Sequence, residues 1–491
     1  MNHSHSFPRP RAALLAAACV LALAAAAPAR ADSPVSIVHS FGGGADAGQW
    51  PYAGLLLAPD GYFYGSTSGG ENDDWGTLYR VKPDGSGFST VHKFTGGADG
   101  GWPRAALLKG QDGALYGISG ESSDGQGGYV FAGAVFRLTL DGQFTVLHSF
   151  SPDTGDGGAA VQSLVQDASG TLYGATQVGG AAQQGAIFSI RPDGTGYRIL
   201  HEFDGADEGG SAQAVSIGSD GKLYAVAYGG GAKGAGTVVM MNTDGSGFRK
   251  LHDFDPDNHE GRHPSTTLVS LPGEGYLYGT TDAGGAYDDA GTIFRINAKG
   301  RFETIHSFFS VVDGIEPFAP LAQAPNGHLL ATTFSGAAGG VGALIDFDPK
   351  FRLVGVAPLA GGPTGPALAA GSLAAGPDGR YYTPTVNGGD TGAGAIVAIA
   401  PGAFPAPVAP LPQAFIQFPK NEVPVDKSII MQWGSTYAGH CEASGDWGGW
   451  RKPGGAIWVK RHEPGLYTFT VTCFNAYGSG TATTTLKVVP K

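Results

Sequence analysis

The sequence predicts an all-β protein assembled from tandem repeats, on three observations. An apolar–Tyr–Gly phrase returns at intervals of roughly 53 residues, a repeat length that forms one supersecondary unit unable to bury its apolar face alone. It is marked by Tyr64, Tyr116, Tyr173, Tyr224 and Tyr278, with Leu330 and Tyr382 in the same place in two altered copies. Glycine accounts for 83 of the 491 residues, far above the usual ~7%, which signals a turn-rich chain. β-Branched and aromatic residues are regularly spaced and helix formers are scarce. With 42% hydrophobic and only 15% charged residues, the chain has ample material for a core, which argues against disorder.

Residues 105–150 show the unit most clearly. Ala105–Leu108 is a short apolar strand, Gln111-Asp112-Gly113 a tight turn, and Ala114–Ile118 a second strand. A Gly-rich loop leads to Ala134–Leu138, a third strand, and Leu140-Asp141-Gly142 turns into Phe144–Phe150, a fourth. Four antiparallel strands on tight turns make one propeller blade. Small residues at the first strand (Ala53-Gly54, Ala105-Ala106, Gln213-Ala214) suit a crowded inner edge. The aromatics Tyr79, Phe136, Phe188 and Phe294 on the third strand suit the wider gap between blades.

The strand count sets the topology. First-to-third strand sets occur seven times, ending at Val81, Leu138, Ile190, Met241, Ile296, Phe347 and Ile399. The first copy of the fourth-strand phrase, Ile37–Phe41, precedes any first strand, and the last set lacks a fourth strand. The expected fold over residues 32–400 is therefore a seven-bladed β-propeller closed by an N-terminal strand, a closure that buries sheet edges and ties the chain ends together.

The flanks differ from this frame. Arg9 and Arg11 precede an apolar run, Ala12–Ala27, and Ala29-Arg30-Ala31 supplies a small-x-small cleavage pattern. Residues 1–31 thus read as a secretory signal peptide cleaved near Ala31, giving a secreted or periplasmic protein, and no second apolar stretch of spanning length follows. A Pro-rich linker covers 401–412. Beyond it, 413–491 alternates as strands and reads as a small immunoglobulin-like β-sandwich. Cys441 and Cys473, the cysteines left after export, pair as a structural disulfide, whose loop closure contributes ~3–4 kcal/mol on the chain-entropy account. Arginines in the leader and an excess of basic residues in the tail leave the repeat segment strongly acidic, within a chain whose formal charge is −12. That charge disfavours nucleic acid and anionic membranes as partners.

The repeat phrase, Leu277-Tyr278-Gly279-Thr280-Thr281 … Gly284-Gly285 … Gly291-Thr292-Ile293-Phe294-Arg295-Ile296 … Ile305-His306-Ser307-Phe308, resembles the GloVer repeat of bacterial exported "choice-of-anchor" proteins. The resemblance covers about 33–400 and is specific because many positions recur together. It implies an extracytoplasmic propeller and no established activity. Members commonly end in a sorting or anchoring segment; the immunoglobulin-like tail departs from that pattern.

Function is expected where the phrase varies. Six histidines in one register, His39, His92, His148, His201, His252 and His306, read as neutral frame residues, since catalysis needs a unique constellation. Trp50, Trp75 and Trp102, with Tyr129 in the longest loop and Asp99 and Asp124 nearby, form a candidate ligand platform of sugar-stacking type; for Trp50 and Trp102, both followed by proline, the competing role is to plug blade junctions. Asp255, Asp257 and Glu260 crowd one loop as a candidate calcium site, although the glycine and distal glutamate of an EF-hand loop are missing. No cofactor motif stands out: Gly229–Gly234 matches a dinucleotide fingerprint in letters but leads into a strand. Neither a Gly-x-Ser-x-Gly elbow nor His-Glu-x-x-His occurs. The reading is a non-catalytic exported propeller that binds a glycan or an envelope or extracellular protein through its loop face. The alternative is a glycoside hydrolase or polysaccharide lyase using loop carboxylates.

Overall fold

A computed structural model describes residues 34–42, 48–69, 75–123, 129–130, 132–151, 155–159, 162, 164–362, 364–407, 411–475 and 478–490. Residues 1–31, where a leader is expected, Asp124 and the side chain of Tyr129 lie outside the described residues. Regular structure among the described residues is strand throughout, apart from one 3-10 turn at Pro256–Asn258. No helix among them is long and apolar enough to cross a membrane.

Up to Ile399 the strands form a propeller-like succession of seven antiparallel sheets of four or five strands, with one added two-stranded ladder, Ser122–Ser123 with Tyr129–Val130. The second is typical: Leu108–Lys109, Leu115–Ser119, Ala134–Leu138 and Phe144–Ser149 pair in that order. Its two middle strands are buried and its fourth is half-buried. Consecutive sheets share hydrophobic clusters. Phe136 and Leu138 of the second sheet pack with Tyr64 and Leu78 of the first, and so on to the cluster joining the sixth and seventh. A further cluster returns from Tyr382, Ile396 and Ala398 of the seventh sheet to Phe63 and Tyr79 of the first. Val35–Ser40 pairs antiparallel with Ala395–Ile399, so the displaced first copy of the phrase does supply the missing fourth strand of the last sheet.

The landmark phrase has two physical reasons. The tyrosine hydroxyl donates to the acid of the preceding turn: Tyr64 to Asp60 (2.8 Å), Tyr116 to Asp112 (2.9 Å), Tyr173 to Asp167 (2.9 Å) and Tyr224 to Asp220 (2.9 Å). A bond to a charged acceptor contributes about 1.5–3 kcal/mol, here tying each second strand to the turn that starts it. The glycine makes room for the third strand's aromatic. Gly117 faces Phe136 across the ladder, and a Cβ there would stand 2.3 Å from that ring. Where the third strand carries a β-branched residue the glycine is replaced: Ala225 faces Val239, Ala331 faces Ile345 and Thr383 faces Val397.

The histidines form a second frame series. A bulge in the fourth strand precedes each of them, as between Val135 and Phe136 opposite His148; an extra residue of this kind re-aims the side chain that follows. Nε2 then meets a carboxylate seven or eight residues on: His92 with Asp99 (3.1 Å), His148 with Asp156 (3.0 Å), His201 with Glu208 (3.0 Å), His252 with Glu260 (2.9 Å) and His306 with Asp313 (2.6 Å). Most of the rings also stack on an aromatic of the next sheet, such as His92 on Phe144 with centroids 3.5 Å apart and His148 on Tyr197 at 3.7 Å. His39 of the N-terminal strand stacks on Phe88 of the first sheet in the same manner. Burial holds His39, His92 and His252 below the ordinary histidine pKa, so the uncharged ring is the form these sites favour at neutral pH.

The C-terminal residues form a three-stranded and a five-stranded sheet around one core that includes Met431, Phe469, Val471 and Leu486. Cys441 and Cys473 are bonded, fully buried and directly opposite each other on neighbouring strands of the same sheet. The bridge therefore staples one ladder and leaves the two sheets to be held by packing.

Candidate functional site

Seven residues, one entering each sheet, adopt left-handed backbone: Trp50, Trp102, Ala159, Ser211, His263, Glu316 and Leu368, with φ between 48° and 62°. Non-glycine residues held this way cost about 1–3 kcal/mol each and persist only where the surroundings fix them. Here each backbone N–H donates, at 2.7–3.2 Å, to a carbonyl just before the third strand of the preceding sheet: Trp50 to Ala393, Trp102 to Trp75, His263 to Ala235 and Glu316 to Ala290, for example. The kink is the seam between sheets. Two residues past it, Tyr52, Arg104, Gln213, Ser265, Phe318 and Ala370 all line a single cavity of about 500 Å³.

A second set of wall residues stands four positions after the landmark: Gln177, Tyr228, Asp282 and Phe334. In the remaining repeats that position holds Ser68, Gly120 and Val386. The chemistry is therefore concentrated on the third to sixth sheets, and every sheet contributes at least one residue to the wall. Amide groups lie on one side, where Gln177 Nε2 donates to Gln213 Oε1 (3.0 Å). Aromatic faces come from Tyr52, Tyr228, Phe318 and Phe334, the last two meeting edge to face at 5.5 Å.

Asp282 is the exceptional group. Its side chain is 7% exposed, and Oδ2 accepts from the Tyr228 hydroxyl at 3.0 Å. Oδ1 accepts no hydrogen bond; His263 Nδ1 lies 3.3 Å away without hydrogen-bond alignment, its ring stacked on Tyr228 at 4.4 Å. Burial pushes the Asp282 carboxyl up to about 7, with Glu316 and Asp289 adding to the rise while Tyr228 and Arg262 oppose it. Arg262 is itself paired with Asp289. Burial also moves His263 down from the ordinary histidine range and Tyr228 up to about 12. Ser265 Oγ, in the same sector, is buried without a hydrogen-bond partner.

The residues singled out from sequence are distributed differently. Trp50 and Trp102 are seam residues. Trp102 stacks on Trp75 with centroids 5.7 Å apart, whereas Trp50, 45% exposed, lies against Gly69. Asp99 is a frame acid: it accepts from His92 Nε2 (3.1 Å) and from the Thr95 amide (3.1 Å), so its oxygens are committed to holding its own loop. In the acidic loop Glu260 accepts from His252 (2.9 Å) and the Asp255 amide (3.0 Å). Lys233 supplies positive charge beside Asp257 (3.0 Å) and Asp255 (4.0 Å). No group of three or more potential metal ligands occurs among the described residues. Sequence reasoning searched the loops and passed over the landmark-plus-four position, although the run Gln177, Tyr228, Asp282, Phe334 stands in register in the sequence.

The Gloeobacter/Verrucomicrobia repeat matches residues 28–212 and 126–345. The chain belongs to that repeat family. No curated protein matches it. Among solved structures it is similar to two extracellular domains from B. thetaiotaomicron, described as parts of a hybrid two-component system and of a one-component system. They are 9% and 13% identical, with TM-scores of 0.48 and 0.46, over 94% and 90% of this chain. The chain spans 58% and 57% of their lengths. It is also similar to a protein described as a 6-phosphogluconolactonase from Bacteroides uniformis, at 15% identity and a TM-score of 0.40, over 68% of this chain and 94% of that one.

Proposed function

We propose that the chain is an exported protein whose residues 32–400 form a seven-bladed β-propeller closed by the N-terminal strand, with an immunoglobulin-like β-sandwich at 413–491 after the linker 401–412, and that it binds a glycan without transforming it. The leader pattern of residues 1–31 supports export. The return of core packing from the seventh sheet to the first supports the closed ring.

One observation carries the binding function. A cavity of about 500 Å³ combines amides, hydroxyls and a carboxyl with four aromatic faces. That volume lies within the ~300–1,000 Å³ of small-molecule sites. Aromatic faces take the apolar faces of a sugar ring, and amides and hydroxyls take its hydroxyl groups. The ligand thus sits in the central cavity and not on the loop tryptophans. The cavity also gives the hydrolase or lyase reading its one supporting feature, since burial lifts the Asp282 carboxyl to about 7 and the charge of a second carboxyl, Glu316, adds to that rise.

The test is a screen of the mature protein against envelope and plant polysaccharides, reading binding and the release of sugar ends together. Tyr52→Ala with Phe318→Ala is expected to weaken glycan binding at least ~tenfold, the scale of a lost aromatic contact, and Trp50→Ala to leave it unchanged. Release of sugar ends would establish the enzyme instead. Loss of binding on Trp50→Ala or Trp75→Ala, with the cavity variants unaffected, would return the site to the loop face.

A further inference from the structure

We propose that the central cavity is built for an acidic sugar, a uronate unit, whose carboxylate is received by the Asp282 carboxyl and the Ser265 hydroxyl while Arg104 supplies the positive charge. The proposal rests on the glycan-binding reading and names the ligand class.

Three observations lead to it. Two polar atoms in one sector of the wall, Ser265 Oγ and Asp282 Oδ1, are buried with no hydrogen-bond partner, on side chains 7% exposed; buried polar atoms of this kind are rare and call for a partner. Arg104 lies over the Tyr52 ring, 5.5 Å from its centroid, and lines the cavity without an ion pair to any described residue, though Glu121 is near enough to feel its charge. A guanidinium with no ion pair among the described residues, in the wall of a chain of formal charge −12, favours an anion.

Burial first, and then the charges facing Asp282, set its protonation state. Glu316, from the seam of the sixth sheet, and Asp289, from the loop of its own sheet, disfavour a second anion; Arg262 is engaged by Asp289, and Tyr228 and His263 are neutral near pH 7. While Asp282 holds its proton it donates to a ligand carboxylate. Once ionised it presents charge of the same sign at contact distance. Ser265 and protonated Asp282 offer a ligand carboxylate two donors in one sector of the wall, and Arg104 adds positive charge elsewhere in the lining of the same cavity. A neutral sugar would leave the guanidinium without a counterpart.

The experiment is calorimetric titration of the mature protein with oligogalacturonides, ionised throughout the range used, and with the same oligomers fully methyl-esterified, at pH 6 and pH 8. The acidic oligomer is expected to bind at least ~tenfold tighter than the ester at pH 6 and to lose about tenfold by pH 8, as a required proton with a midpoint near 7 dictates. Arg104→Gln is expected to abolish the preference for the acid. Asp282→Asn, whose amide donates at every pH, is expected to keep the pH 6 affinity and flatten the pH dependence. Ser265→Ala, a smaller change, guards against a misfolded Asn variant and should weaken the acid more than the ester. Equal binding of acid and ester overturns the proposal and leaves glycan binding standing. An acid preference that survives both Arg104→Gln and Asp282→Asn overturns it as well. Binding of neither oligomer, with neutral glycans also silent, removes both readings.

Discussion

Asp313 and Asp282 are both nearly inaccessible carboxyls, 1% and 7% exposed, a short distance apart in sequence, and they have opposite characters. Asp313 is filled: its oxygens accept from His306 Nε2 at 2.6 Å and from the Phe309 amide at 2.7 Å, and its backbone carbonyl accepts from Thr333 Oγ1 at 2.7 Å. Asp282 accepts a single hydrogen bond, from Tyr228, and keeps one oxygen unmet in a cavity wall. The first carboxyl belongs to a series repeated around the molecule. The second has no counterpart at its register position, where other repeats place Ser68, Gly120 or Val386. Burial alone does not separate a structural acid from a functional one; satisfaction does.

The contrast is open to attack by four substitutions. Asp313→Ala strips His306 and the Phe309 amide of their acceptor and is expected to cost ~2–4 kcal/mol in denaturant unfolding; a loss below the error of the measurement would dissolve the distinction. Asp282→Asn is expected to act in the opposite direction. The folded state holds the Asp282 proton up to about 7, whereas the unfolded chain releases it near the ordinary ~4. Folding therefore takes up a proton between those values, and stability falls as pH rises through that window. The amide removes this penalty, so the variant should gain ~1–3 kcal/mol at pH 8 and nothing at pH 4. Tyr116→Phe deletes one frame hydrogen bond to the charged Asp112, with an expected cost of about 1.5–3 kcal/mol. Tyr228→Phe, the mildest change, removes the one donor to Asp282 and should shift its titration midpoint further upward in an NMR pH series, with little change in stability.

Much of the frame was legible because its causes are local. The Tyr-to-turn-acid bond spans four residues at Asp60–Tyr64 and Asp112–Tyr116, so the same few letters write it each time. The surplus Ile37–Phe41 phrase foretold the pairing with Ala395–Ile399. The exchange of Gly-with-aromatic for Ala- or Thr-with-β-branched was half visible: the aromatics were noticed, their partners on the adjoining strand were not. The site was hidden because its residues come from different repeats and meet only when the sheets surround them. Tyr228 and Asp282, 54 residues apart, are hydrogen-bonded, and no local pattern encodes that. Asp99, an acid beside tryptophans in sequence, turned out to serve His92. Its spacing of seven from a histidine recurs at His201–Glu208 and His306–Asp313 and was the available clue.

The pairing of Val35–Ser40 with Ala395–Ile399 also bears on how the molecule is made. A chain that emerges amino end first must carry its opening strand unmatched until the final sheet has appeared, some 360 residues later. Each intermediate sheet can form as it arrives, because its contacts are mostly local, but the last cooperative step must await the end of the repeat segment. A chain truncated before Ala395 would be left with two raw edges, one at each end, open to pairing with other chains.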